Sequence, residues 1–326
     1  MIYPLTFHPI FKSTIWGGNR IARFKNITIS QRNIGESWEL SGIKNNESVI
    51  SNGIYQGKSL QWLISTFKDK LTGKRNYERF GEEFPLLIKL IDATDDLSVQ
   101  VHPDDDFAGK NHGCKGKTEM WYLLKSASGS CLLSGFKKKI TKDIFVKSLI
   151  DNSIMTYIRK HKIEEGDAFY IPAGRIHSIG AGCMLAEIQQ ASDITYRIYD
   201  FNRKNKDGKA RELHTEYAKE VIDYSVYDDY RTMYDKNAFN RKERILKCSC
   251  FTTDYYAVDY LFEIDCKGID SFIIMICLEN RAFITDSGNN IIEISRGETI
   301  LFPAENEKII KNATDTMKFL LVYIIE

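Results

Sequence analysis

Short apolar runs separated by polar turns recur along most of the chain. Runs rich in β-branched and aromatic residues occupy 86–91, 98–102, 119–125, 130–136, 168–171, 183–189 and 194–199, and then 255–264, 271–278, 291–294 and 317–325. Runs of strand length at this spacing predict a mainly β protein built as a sandwich or barrel. Three segments carry helical spacing instead and read as inserts: 59–67, with Leu60, Leu63, Ile64 and Phe67 on one face; 141–152; and 212–225, with Leu213, Tyr217, Val221 and Ile222.

The same pattern divides the chain. A polar, charged stretch over 227–247 separates the front from a further group of strands, so the expected organisation is one domain over 1–226, a connecting segment over 227–247 and a second β domain over 248–326. An internal echo relates the two. The front carries Gly166-Asp-Ala-Phe-Tyr-Ile-Pro172-Ala-Gly174-Arg-Ile-His177, and Gly297-Glu-Thr-Ile-Leu-Phe-Pro303-Ala304 repeats its opening. Glu305 stands where the second glycine would be, and no histidine follows. The second copy keeps the turn and lacks the histidine.

Chemistry concentrates in the front. Residues two apart in a strand share a face, so Gln100 and His102 in Val-Gln-Val-His-Pro project together, and Pro103 ends the strand just beyond them. Glu119 opens the run Glu-Met-Trp-Tyr-Leu-Leu-Lys, where an inward carboxylate is costly unless a cation compensates it. His177 follows a tight Gly-Asp…Pro-x-Gly turn, and neutral imidazole is a common metal ligand. Two imidazoles, a carboxylate and an amide suit zinc, with iron, manganese and cobalt as competitors.

Composition narrows the class. Lysine and arginine total 45 against 44 acidic residues, so no global field would draw a nucleic acid. The N-terminal residues lack the pattern of a signal peptide and no apolar run is long enough for a membrane span, so a cytoplasmic protein is expected. Seven scattered cysteines without a Cys-x-x-Cys pair read as reduced, mostly buried thiols.

The turn ending at His177 resembles the second conserved motif of the cupin superfamily, and Gln100-x-His102 sits where many cupins carry His-x-His. At greater length the chain resembles the type I mannose-6-phosphate isomerase family, particularly its shorter bacterial branch. The matching segments are Ile15-Trp-Gly-Gly18, Gly35-Glu-Ser-Trp-Glu-Leu-Ser41, Val99-Gln-Val-His-Pro-Asp-Asp105, Gly116-Lys-Thr-Glu-Met-Trp-Tyr122, the turn ending at His177, Glu187-Ile-Gln-Gln-Ala-Ser-Asp-Ile-Thr-Tyr-Arg-Ile-Tyr-Asp200 and Arg211-Glu-Leu-His214. They cover the first two-thirds of the chain in family order.

The resemblance implies a cupin-type jelly-roll catalytic domain with helical inserts, followed by a degenerate C-terminal β module. It places one zinc ion on Gln100, His102, Glu119 and His177, an active-site lysine at Lys117, and an Asp-x-x-x-Arg pair at Asp193 and Arg197. Longer relatives usually have Lys-Pro-Glu where this chain has Lys117-Thr118-Glu119. The implied reaction interconverts mannose 6-phosphate and fructose 6-phosphate through an enediol. Zinc would act as electrophile, Lys117 in acid–base work, Arg197 on an anion, and Asp193 would orient Arg197 or relay a proton. Arg203, Lys209 and Arg211 are the candidates for phosphate binding. The implied partner is a small sugar phosphate, and the expected assembly a monomer or homodimer. A sugar-binding cupin without catalysis, a metal-dependent cupin acting on another substrate and a non-haem iron oxygenase are the competing readings.

Overall fold

The computed structural model describes residues 2–204, 208–312 and 315–325. The front half is two facing antiparallel sheets. The larger runs in the order Arg231–Thr232, Ala168–Ile171, Glu119–Ser126, Cys183–Gln190, Leu86–Asp92, Ile34–Ser41 and Ile10–Gly18. The smaller runs Tyr196–Tyr199, Val99–Val101, His177–Ile179, Cys131–Phe136 and Ile158–Lys162. Trp16, Ile91, Trp121 and Leu123 from the larger sheet meet Leu132 and Ile179 from the smaller in one buried cluster, giving a sandwich of jelly-roll type.

The back half repeats the plan. Glu243–Lys247, Thr252–Val258, Met317–Tyr323, Ile273–Glu279 and Thr299–Phe302 form one sheet, in that order. Leu261–Asp265, Lys308–Asn312, Arg281–Asp286 and Ile291–Ser295 form its partner. Between them the filling is mainly apolar, including Tyr256, Ile273, Met275, Phe302, Ile309 and Phe319, with Lys311 also buried and donating to Val258 O and Asp315 O.

Side-chain alternation joins the halves. In Glu119–Ser126, Trp121 and Leu123 point into the front sandwich, while Met120, Tyr122 and Leu124 point the opposite way. There they share a core with Tyr255, Ile274, Ile276, Leu320 and Val322 of the back half. These central strands are buried on both faces, which is why they read as continuous apolar runs rather than alternations.

Two of the three expected helices appear near their anticipated bounds. Leu60–Phe67 starts where the Ser59 hydroxyl accepts from Trp62 N, and Lys142–Ile150 starts where the Thr141 hydroxyl accepts from Ile144 N. The third, expected over 212–225, is only Thr215–Val221. Its flanks are spent on other bonds: Glu212 O and His214 N pair with Arg197, and Asp223 N donates to Gly174 O. Phe145 and Ala218 of the last two helices cover the outer face of the smaller front sheet, against Val99, Val101 and Phe136. The helix Asp105–His112 was not apparent in the pattern, because only Ala108 on it is buried. The run over 255–264 divides at Asp259 and Tyr260 into strands that enter different sheets. All seven cysteines are free thiols; three are buried, three half-buried, and Cys114 is exposed. Among the described residues no helix is long and apolar enough to cross a membrane.

Candidate metal centre

Three side chains come from one row of the smaller front sheet. Arg197 lies opposite Gln100, and Gln100 opposite His177, so all three project from the same face. His102 follows Gln100 by two residues and keeps that face. Its position is locked where Gly174 N donates to His102 O at 2.9 Å. Gly174 has φ of +84°, and a Cβ there would lie 2.8 Å from Val221 O, so the turn before His177 requires glycine. Glu119, the first residue of its strand in the larger sheet, reaches across to meet the two histidines.

The carboxylate sits between the imidazoles. His102 Nε2 is 3.5 Å from Glu119 Oε2, and His177 Nε2 is 3.4 Å from Glu119 Oε1, with all three side chains buried. Both rings are oriented from behind: His102 Nδ1 donates to Ile194 O at 2.9 Å and His177 Nδ1 to Arg175 O at 2.7 Å. That leaves each Nε2 lone pair aimed at the carboxylate. The edge of the Trp121 ring packs on His177, with centroids 5.3 Å apart.

This arrangement is chemically suited to a cation. Glu119 Oε1 is buried with no hydrogen-bond partner, an orphaned acceptor beside two neutral imidazoles. The ligand atoms of His102, Glu119 and His177 all lie within 4.8 Å of one another, so the three could hold a metal ion. Burial, followed by the Lys117 and His177 charges, drives His102 well below the ordinary histidine range. Burial also takes His177 down to about 3, although its bond to Arg175 O works the other way. Burial and the neighbouring Glu187 push Glu119 up to about 7 against the pull of Lys117 and Lys89. A carboxylate so reluctant to ionise gains most from a divalent charge. Gln100 places its amide 3.2 Å from His177 Nε2. Turning that amide about its last bond presents its oxygen at the same point.

Lys117 is buried and donates to Glu119 Oε2 at 2.5 Å and to His102 Nε2 at 3.1 Å. It therefore occupies the same lone pairs a metal would use. Thr118, the position that departs from the longer pattern, donates its N–H to Gln190 Oε1 at 2.8 Å. Proline has no N–H for that bond.

A cavity of about 790 Å³ opens beside the cluster, lined in part by Trp16, Gln100, Lys117, Asp193, Arg197 and Arg211. Asp193 and Arg197 thus reach one chamber, but no hydrogen bond or ion pair joins them among the described residues. Arg197 Nη1 instead donates to Glu212 O at 3.0 Å, and its buried Nε has no partner. Of the three basic residues singled out for phosphate, only Arg211 lines the cavity. Asp200 grips both Arg211 and Arg203, each at 2.5 Å.

Sequence reasoning overlooked two buried groups in the same chamber. Lys89 Nζ lies 3.2 Å from Glu187 Oε1 and 3.7 Å from Glu36 Oε2, while Glu187 Oε2 accepts from Trp121 Nε1 at 2.9 Å. Burial opposes the charge on Lys89, yet Glu36 and Glu187 outweigh it and hold the ammonium above the usual lysine range. Burial likewise opposes the charge on Glu187, and Lys117 and Lys89 overcome it and lower the carboxyl. A signal was present: a lysine in the middle of Leu-Leu-Ile-Lys-Leu-Ile and a glutamate inside Cys-Met-Leu-Ala-Glu-Ile are charges in otherwise apolar strands.

Residues 5–123 match the family model described as phosphomannose isomerase type I, catalytic domain. The chain is 34% identical over 302 residues to mannose-6-phosphate isomerase ManA of Bacillus subtilis (strain 168), spanning 92% of this chain and 93% of that protein. It is 37% identical over 222 residues to a mannose-6-phosphate isomerase of Streptococcus mutans, covering 68% of each. The crystal structure of the Bacillus subtilis mannose 6-phosphate isomerase superimposes with a TM-score of 0.87 at 27% identity, over 99% of this chain and 100% of that one.

Proposed function

The chain belongs to the type I phosphomannose isomerase family, and from that membership we propose that it interconverts mannose 6-phosphate and fructose 6-phosphate with one zinc ion held by Gln100, His102, Glu119 and His177. The observation that carries the reading is the orphaned Glu119 Oε1 facing two neutral imidazoles, beside a cavity whose wall includes Gln100 and Lys117. Zinc bound there would supply a Lewis acid for charge that develops on the substrate oxygens.

The remaining chemistry falls to the chain's own side chains. The reaction moves a proton between C2 of the aldose and C1 of the ketose through an enediol, so it needs a proton carrier and a stabiliser of negative charge. Lys117 is the proton carrier in this reading. If Glu119 Oε2 and His102 Nε2 served as ligands, Lys117 would be released from both bonds, and its side chain already lines the cavity. Arg197, with Nε–H free of protein acceptors, offers donors to an anionic oxygen, and Arg211 adds positive charge to the same wall. Asp193 lines the chamber as a second proton acceptor. Seven free thiols suit a reducing cytoplasm.

The test is fructose 6-phosphate formation from mannose 6-phosphate, measured before chelation, after it, and after zinc is restored. Loss with chelator and recovery with zinc is the expected result. Folded, zinc-loaded protein without turnover would overturn the assignment.

A further inference from the structure

Arg197 lies on Tyr196–Tyr199, the edge strand of the smaller front sheet, and its ladder with Val99–Val101 is irregular just beyond Arg197. An edge strand leaves backbone donors and acceptors unpaired on its open side. Here His214 meets both groups of a single residue: Arg197 N donates to His214 Nδ1 at 3.0 Å, and His214 N donates to Arg197 O at 2.8 Å. Two residues earlier, Glu212 O accepts from the Arg197 guanidinium at 3.0 Å. The segment Arg211–His214 therefore grips Arg197 at its backbone and at its side chain, and Arg211 enters the cavity from the same segment.

We propose that His214 is a positioning residue that pins Arg197 for the sugar phosphate, and that the pin holds only while the imidazole is neutral with its proton on Nε2. The proposal rests on the isomerase reading for its substrate but on this geometry for its mechanism. An imidazolium has N–H at both nitrogens and nothing with which to accept the Arg197 N–H. The groups facing the ring are Arg197 and Tyr196 on the edge strand, Glu212 on its own segment, and His112 at the end of Asp105–His112. Burial, then Arg197, lower the His214 pKa, while Glu212 opposes them and His112 adds to the lowering. The pin is thus intact at neutral pH and released on acidification.

The experiment compares wild type, His214→Ala and His214→Asn in the zinc-loaded full chain, with kcat and KM for mannose 6-phosphate measured across the acid range. An asparagine Oδ1 can accept the same backbone N–H but does not titrate. At neutral pH, His214→Ala should lower kcat/KM about tenfold, as expected for a lost hydrogen bond to a substrate-binding group. His214→Asn should recover most of that loss and lack the fall in kcat/KM that wild type is expected to show on acidification. In an Arg197→Ala background, His214→Ala should cost nothing further, because it acts through Arg197. Nitrogen-15 NMR of the ring should show unprotonated Nδ1 at neutral pH, and this readout does not depend on turnover. The proposal is overturned if Nδ1 carries the proton at neutral pH, if the alanine and asparagine variants behave alike, or if the asparagine variant keeps the wild-type acid limb. Absent turnover with an unprotonated Nδ1 would reject the isomerase reading and leave the pin in place.

Discussion

The front and back sandwiches begin from the same turn and use it for opposite ends. Gly166 and Gly297 have φ of +84° and +82°, and each introduces a short strand ending at a proline, Ala168–Ile171 and Thr299–Phe302. Each strand pairs with a longer neighbour at the same register from the turn. Ile171 lies opposite Glu119 in the front, and Phe302 opposite Ile273 in the back. The back half thus has isoleucine where the front has its buried carboxylate. Beyond the proline, Gly174 binds His102 O in the front, whereas in the back Ala304 N and Glu305 N bond to Leu71 O and Lys70 O, and Glu305 Oε1 accepts from Ile2 N. One turn aims His177 at the buried carboxylate, and the other docks the halves together. A buried carboxylate between histidines needs a compensating charge, whereas the mainly apolar packing at the matching position of the back half does not.

That contrast can be broken from either side. Glu119→Gln keeps the shape and removes the charge between the histidines; turnover should fall about 10³-fold and zinc content toward zero, measured by steady-state assay and elemental analysis. The reciprocal Ile273→Glu should lower stability by roughly 3 kcal/mol in urea unfolding without adding a metal, because no histidine faces that position. Acidifying the metal-free protein should give a graded loss. His177 is lowered to about 3 and His102 well below its ordinary range, so their contribution is present above about 6.5 and is lost as pH falls toward those lowered values, at up to about 1.4 kcal/mol per pH unit and group. Glu119, raised to about 7 from 4.5, works the other way between those two values, one group against two. Thermal unfolding across pH, with and without zinc, reads the balance, and zinc should flatten it. The smallest effect is expected from Glu305→Ala, which loses the bond to Ile2 N; stability should fall by about 1 kcal/mol with kcat unchanged.

Much of this plan is legible along the chain. Residues 86–91, 119–125, 168–171 and 183–189 form strands within a residue or two of their expected limits, because their burial on both faces leaves an unbroken apolar signal. Some edge strands escaped, although the edge strands Tyr196–Tyr199 and Ile291–Ser295 fall on the expected runs 194–199 and 291–294. Ile10–Gly18 reads as a mixed segment with Lys12 and Ser13, and its pairing with Ile34–Ser41 is irregular at Lys12–Ser13 and again before Gly18. Short strands such as His177–Ile179 carry too few residues to show a period.

The local code decides that Gln100 and His102 share a face, that a glycine turn precedes His177, and that charged residues interrupt apolar strands at Lys89 and Glu187, since each follows from backbone geometry or residue chemistry over a few positions. Distance along the chain says nothing of what meets across the sandwich. Only the packed sheets bring Glu119 between histidines from the opposite layer, give Lys117 the same lone pairs, and leave Asp193 apart from Arg197 while joining Arg197 to His214. Those contacts depend on strand order and register, which long-range burial sets and no local run of residues encodes.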